Sequence, residues 1–218
     1  MEKFEYKGIE IEWLGHASFK IKYDSKTIYI DPFVIPKEPE KADYIFVTHE
    51  HYDHCALENI GKLIKETTKI IATEDCLAKL DKFGVQVITV VPNDSKQIDE
   101  IKVETIPAYN LNKAFHTKDS GWVGYILEIK GVRIYHAGDT DATPEMKSLK
   151  NIDIALLPVG GKYTMDYKEA AEAVNEFKPK IAIPMHWGKI VGSKEDAEKF
   201  KELVKESEAI ILEPSIKE

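Results

Sequence analysis

Residues 48–54 read Thr48-His49-Glu50-His51-Tyr52-Asp53-His54. The chain has 7 histidines, and His49, His51 and His54 fall together here with Asp53. Neutral imidazole and carboxylate are the usual ligands of zinc and related divalent ions. The four side chains follow a continuously apolar run, residues 43–47, and precede a helical pattern. A strand end that feeds a tight turn converges such side chains on one point. The bland reading is a solvated histidine-rich loop, and the clustering of so uncommon a residue weighs against it.

The elements that must position these residues show in the periodicity. Short runs rich in β-branched and aromatic residues at 9–13, 18–23 and 27–30 predict strands, with a turn at Asp24-Ser25-Lys26. Leu57, Ile60, Leu63 and Ile64 share one helical face. A strand is expected at 69–71, a helix over 75–82 closed by Gly84, and strands at 85–90 and 101–106. In the second half the strands are 122–129, 132–135, 152–157, 180–185 and 209–212, the first two joined by a Lys130-Gly131 turn. Ala170, Ala173, Val174 and Phe177 form a helical stripe behind an Asp166/Glu169 capping pair. Ala197, Phe200, Leu203 and Val204 form another after a Ser193 cap. No close sequence repeat and no linker interrupts this order. The pattern predicts two sheets packed face to face with helices on the outer faces.

With 218 residues, 43% of them hydrophobic and 31% charged, the chain is long enough to bury a substantial core and reads as globular. We expect a single domain over 1–218, made of two fused halves of roughly 1–110 and 111–218. No apolar run reaches the roughly 20 residues of a membrane span, and the first residues have no signal-peptide character. The 2 cysteines, Cys55 and Cys76, give no disulfide framework. A cytoplasmic protein without a membrane partner is the expectation. The net charge of −8 argues against a general nucleic-acid binder, which needs clustered Lys and Arg.

The run His49-Glu50-His51-Tyr52-Asp53-His54 matches the signature motif of the metallo-β-lactamase superfamily, and the chain resembles that family over most of its length. Leu14-Gly15-His16-Ala17-Ser18 and Ile30-Asp31-Pro32 resemble its opening strands. His136-Ala137-Gly138-Asp139-Thr140 resembles its metal-bridging motif, and Ile183-Pro184-Met185-His186-Trp187-Gly188 its final histidine motif. The chain is most similar to the small metal-dependent hydrolases of that superfamily. It is more distantly similar to the ascorbate-phosphate lactonases and the N-acylethanolamine phospholipases D. The resemblance implies an α/β (α+β) fold, a four-layer αββα sandwich of two mixed β-sheets flanked by helices. It also implies two divalent metal ions, with zinc favoured over manganese or iron. His49 and His51 would hold the first ion, Asp53, His54 and His186 the second, and Asp139 would bridge them. The first ion's third ligand departs from the family pattern. Several relatives carry a histidine after the strand that ends near Ile106-Pro107-Ala108, where this chain has Tyr109-Asn110. Either His116 folds back as the ligand, or Asn110 and water fill the place. Imidazole is the better divalent ligand, so His116 is preferred.

The chemistry so implied is hydrolysis. A binuclear site would lower the pKa of bound water, and the metal-bound hydroxide would attack an ester, lactone or phosphodiester of a small molecule, an anionic one among the candidates. Asp53 and Asp139 are the catalytic carboxylates of this reading. A redox or oxygen-binding di-iron protein is a second class, although relatives of that kind carry a glutamate in place of His51. A metal-binding scaffold without turnover is a third. His16 and His136 are expected in hydrogen-bonded supporting or core roles. Asp31 either orients an imidazole or caps the turn before Pro32. Cys55 reads as a small buried residue. Gly160-Gly161-Lys162-Tyr163 is either a backbone cradle for an anion or an ordinary glycine-rich loop. Lys113, Lys162 and Tyr163 are candidate substrate contacts.

Overall fold

The computed structural model describes residues 3–216. They form two compact units. One comprises the chain up to Val90 with the tail from Leu212, and the other is Val91–Ile211.

In the first unit seven strands form one sheet in chain order: β1 (Phe4–Tyr6), β2 (Ile9–Gly15), β3 (Ser18–Tyr23), β4 (Lys26–Ile30), β5 (Tyr44–Val47), β6 (Lys69–Thr73) and β7 (Gln86–Val90). β1 to β4 run antiparallel because two-residue turns join neighbours. Lys7 and Gly8 both take positive φ, 50° and 76°, the backbone that hairpin turns of this length require. From β4 to β7 the pairing is parallel, which demands crossovers. α1 (Leu57–Leu63) and α2 (Glu74–Leu80) supply two of them. Helices of seven residues do not hold alone in water. Ile60, Leu63 and Leu80 fix them by burial in the core of Leu14, Ile45, Val47 and Ile70, each such side chain contributing about 1.5–3 kcal/mol. β5 is buried along its whole length, as a central parallel strand covered on both faces should be.

The second unit repeats this plan. β8 (Ser95–Ile98), β9 (Ile101–Pro107), β10 (Val123–Ile129) and β11 (Val132–His136) are antiparallel neighbours. β12 (Ile154–Pro158), β13 (Ile181–Met185) and β14 (Glu208–Ala209) continue the sheet in parallel from β11. α3 (Pro144–Lys147), α4 (Tyr167–Phe177) and α5 (Lys194–Leu203) are its helices. Asp166 and Glu169 form the capping box expected of α4, and Ser193 pairs with Asp196 at α5. The predicted α4 stripe of Ala170, Ala173, Val174 and Phe177 is buried.

The expectation of two mixed sheets with helices therefore holds. Among the described residues, two strands and one α-helix were not expected: β1, β8 and α3. The predicted strand over 209–212 shrinks to Glu208–Ala209, and Leu212 belongs to the first unit. Among the described residues no helix is long and apolar enough to cross a membrane.

Candidate metal centre

In the first unit the histidine motif follows β5 as a tight turn. The carbonyl of His51 accepts the amides of His54 at 3.0 Å and Cys55 at 2.7 Å, which folds the motif back on itself. Asp31, just past the end of β4, is fully buried. Its Oδ1 accepts the amide of Thr48 at 2.8 Å, and its Oδ2 accepts the Thr48 hydroxyl at 2.7 Å. Oδ2 also lies 2.7 Å from Nδ1 of His54. A carboxylate only accepts, so His54 carries its proton on Nδ1 and its lone pair on Nε2. Thr48 has one hydroxyl proton and donates it to Asp31. Its oxygen therefore accepts from Nδ1 of His49, 2.9 Å away, and the lone pair of His49 is also on Nε2. One buried carboxylate thus sets the ligand-ready tautomer of two histidines. Of the two roles considered for Asp31, imidazole orientation is the one observed.

Nε2 of His49 lies 3.1 Å from Nδ1 of His51. Two nitrogens bound to one tetrahedral ion at about 2.1 Å are roughly 3.4 Å apart, so this pair suits a shared ion. His16, Asp53 and His54 each bring a donor atom within 4.8 Å of the others. Oδ2 of Asp53 is 3.1 Å from Nε2 of His16 and 3.9 Å from Nε2 of His54. Glu50 faces elsewhere and pairs with Lys79 at 2.7 Å.

In the second unit Asp139 follows β11 and His186 follows β13. Oδ1 of Asp139 is 3.2 Å from Nε2 of His186, and Oδ2 is 3.4 Å from Nε2 of His116. A carboxylate whose two oxygens face different imidazoles has the donor arrangement of a bridging ligand. His116 reaches this place through a web of hydrogen bonds. Its Nδ1 lies 3.0 Å from the carbonyl of Tyr163 and 3.1 Å from Oδ1 of Asn110. Both are acceptors, so Nδ1 is protonated and Nε2 holds the lone pair. Asn110 also accepts the His116 amide at 3.1 Å and donates from Nδ2 to Asp141 at 3.0 Å and to Tyr163 at 2.9 Å. Asn110 thus stands behind His116 as a brace.

His136 is buried, and its Nδ1 accepts the amide of Gly138 at 3.2 Å, a turn-building role. Cys55 is buried, and the thiols of Cys55 and Cys76 are unbridged. Lys113 is tied to Asp141 at 2.6 Å and to the carbonyl of Thr164 at 3.0 Å, so it anchors the loop. Lys162 lies over the Tyr163 ring. Gly160 has a role that neither reading of its loop included. A Cβ there would sit 2.2 Å from the carbonyl oxygen of His186, so glycine is needed for the backbone to pass His186. Sequence reasoning assigned no supporting role to Thr48 or Asp141. Thr48 and Asp141 lie within two positions of a proposed ligand, which was the available signal.

A family model described as beta-lactamase superfamily domain matches residues 10–186. A UPF0173 metal-dependent hydrolase of Thermococcus onnurineus is 38% identical, over 94% of this chain and 97% of its own. A solved structure from Parabacteroides distasonis is 35% identical with a TM-score of 0.83 and covers 96% of both chains. A metallo-beta-lactamase fold protein of Bacillus subtilis, 11% identical over 94% of this chain and 96% of its own, shares the fold with a TM-score of 0.74. Two mixed seven-stranded sheets with helices, in this company, define the metallo-β-lactamase fold. The chain belongs to the beta-lactamase superfamily and, within it, to the metal-dependent hydrolases.

Proposed function

We propose that the protein is a binuclear hydrolase that cleaves an ester, lactone or phosphodiester bond of a small molecule in the cytoplasm. In this reading His49, His51 and His116 hold one divalent ion, and Asp53, His54 and His186 hold the other. Asp139 bridges them, and zinc is the first choice of metal. Two such ions supply an activated water near neutral pH and a positive charge for the oxyanion of the transition state. The chain's own residues prepare the donors. Asp31 and Thr48 hold the lone pairs of His49 and His54 on Nε2, and Asn110 with the Tyr163 carbonyl does the same for His116. The observation that carries the proposal is Asp139, with one oxygen toward His186 and the other toward His116. The buried, unbridged thiols of Cys55 and Cys76 support a reducing compartment.

Elemental analysis of protein purified without chelator tests the centre, with about two divalent ions per chain expected. Asp139→Ala should lower that content and abolish hydrolysis of a chromogenic ester, lactone and phosphodiester panel assayed with zinc, manganese and iron. A wild-type chain that takes up no metal on reconstitution rules out the proposal. Full metal content and activity in Asp139→Ala rule out the bridging role.

A further inference from the structure

His16 occupies an unusual position for a buried polar ring. It follows Gly15 in the turn between β2 and β3, where the strand register shifts between Trp13 and Gly15. Its φ is 53°, in the left-handed region that costs an L-residue roughly 1–2 kcal/mol. The surroundings hold it there. The Trp13 indole donates to the His16 carbonyl at 2.9 Å. Phe33 meets one side of the ring edge-on, with centroids 5.5 Å apart, and the His54 ring lies 5.7 Å away. Packing alone does not call for an imidazole at such a turn. From this position Nε2 of His16 lies 3.1 Å from Oδ2 of Asp53.

We infer that His16 is a positioning residue for Asp53. Its Nε2–H donates to Oδ2 and holds the carboxylate in the orientation in which it faces Nε2 of His54, 3.9 Å away. Asp53 lies in the turn of the histidine motif beside the exposed Tyr52, with its own side chain 14% exposed, and a carboxylate side chain has several staggered rotamers. A donor fixed from the neighbouring strand turn selects one of them before metal arrives. Supporting contacts of this kind are worth about 10–100-fold in metal affinity. The inference rests on the proposed assignment of Asp53 and His54 to one ion.

Calorimetric titration of the metal-stripped full chain with zinc tests it, together with the absorption spectrum of the cobalt-loaded protein. His16→Gly removes the ring at a backbone conformation that glycine accepts without strain, so folding is preserved. His16→Gln keeps an N–H near the position of Nε2. His16→Gly should weaken one of two zinc sites by about 10–100-fold and leave the other unchanged. His16→Gln should restore most of the lost affinity, with a cobalt spectrum like that of the wild type. Unchanged binding of both ions in His16→Gly overturns the inference. So does a failure of His16→Gln to rescue combined with an altered cobalt spectrum, which would make His16 a ligand. A wild-type chain that binds fewer than two ions overturns the underlying assignment and the inference with it.

Discussion

Nδ1 of His54 lies 2.7 Å from Oδ2 of Asp31, and both side chains are fully buried. The residues are 23 positions apart and meet because β4 and β5 are parallel neighbours, so that the ends of both strands emerge side by side. The same carboxylate also takes the amide and hydroxyl of Thr48. Asp31→Asn would preserve size and one acceptor, but would present an NH2 group where Oδ2 accepts now. That group would donate to Nδ1 of His54 and force its proton onto Nε2, the atom proposed to bind metal. We expect metal affinity to fall about 10–100-fold, read by chelator competition, with nitrogen NMR reporting the tautomer change in the metal-free protein. Wild-type affinity in Asp31→Asn would refute the tautomer argument.

His116 and Asn110 make a second test. The sequence poses them as rival ligands, and an amide oxygen is the weaker of the two. The geometry makes them partners, since Asn110 meets His116 through both the ring and the amide. His116→Ala should weaken one ion far more than the other. Asn110→Ala should weaken the same ion, because the ring loses its brace and Asp141 and Tyr163 lose a donor. Two-site titrations of both variants decide this. Normal binding in His116→Ala leaves His116 as a supporting residue only.

These two cases show what the sequence makes legible. His49, His51, Asp53 and His54 stand out because residue type and spacing carry the signal locally. The central strand β5 stands out because burial on both faces makes it continuously apolar. β1 and β8 lie at sheet edges, where half the strand faces solvent and the apolar signal fades. β8 reads only Ser95-Lys96-Gln97-Ile98, with Ile98 alone fully buried. The brace on His116 depends on contacts as far as 47 positions away along the chain, and no local pattern encodes such a contact. The clearance at Gly160 is of the same kind, since it depends on where the His186 carbonyl passes.

That clearance gives a third prediction. In Gly160→Ala the new methyl would lie 2.2 Å from the His186 oxygen and 2.8 Å from Val191 Cγ2. The first obstacle is backbone and cannot rotate away, so the segment carrying His186 must shift. Overpacking of this kind costs about 1–3 kcal/mol. We expect a lower melting temperature in the metal-free protein and weakened binding of the ion assigned to His186. Unchanged values for both would show that the loop relaxes without disturbing the ligand.

The last prediction concerns acid stability away from the metal ligands. Glu104 on β9 accepts two bonds from the Arg133 guanidinium on β11, at 3.0 and 3.2 Å. The Arg133 hydrogen bonds hold its carboxyl at about 2, below the ordinary 4.5, against an opposing desolvation effect, and Lys102 adds to the lowering. A carboxylate with a depressed folded-state pKa stabilises the protein fully above its unfolded value. That contribution declines as pH falls through the interval and is gone below the folded value. Wild type should therefore exceed Glu104→Gln in stability by about 1–3 kcal/mol at neutral pH, with the margin narrowing below about pH 4.5 and closing near pH 2. Urea melts of the metal-free proteins across this range measure the margin directly. A constant difference, or one that widens on acidification, would show that the glutamate acts through packing and not through its charge.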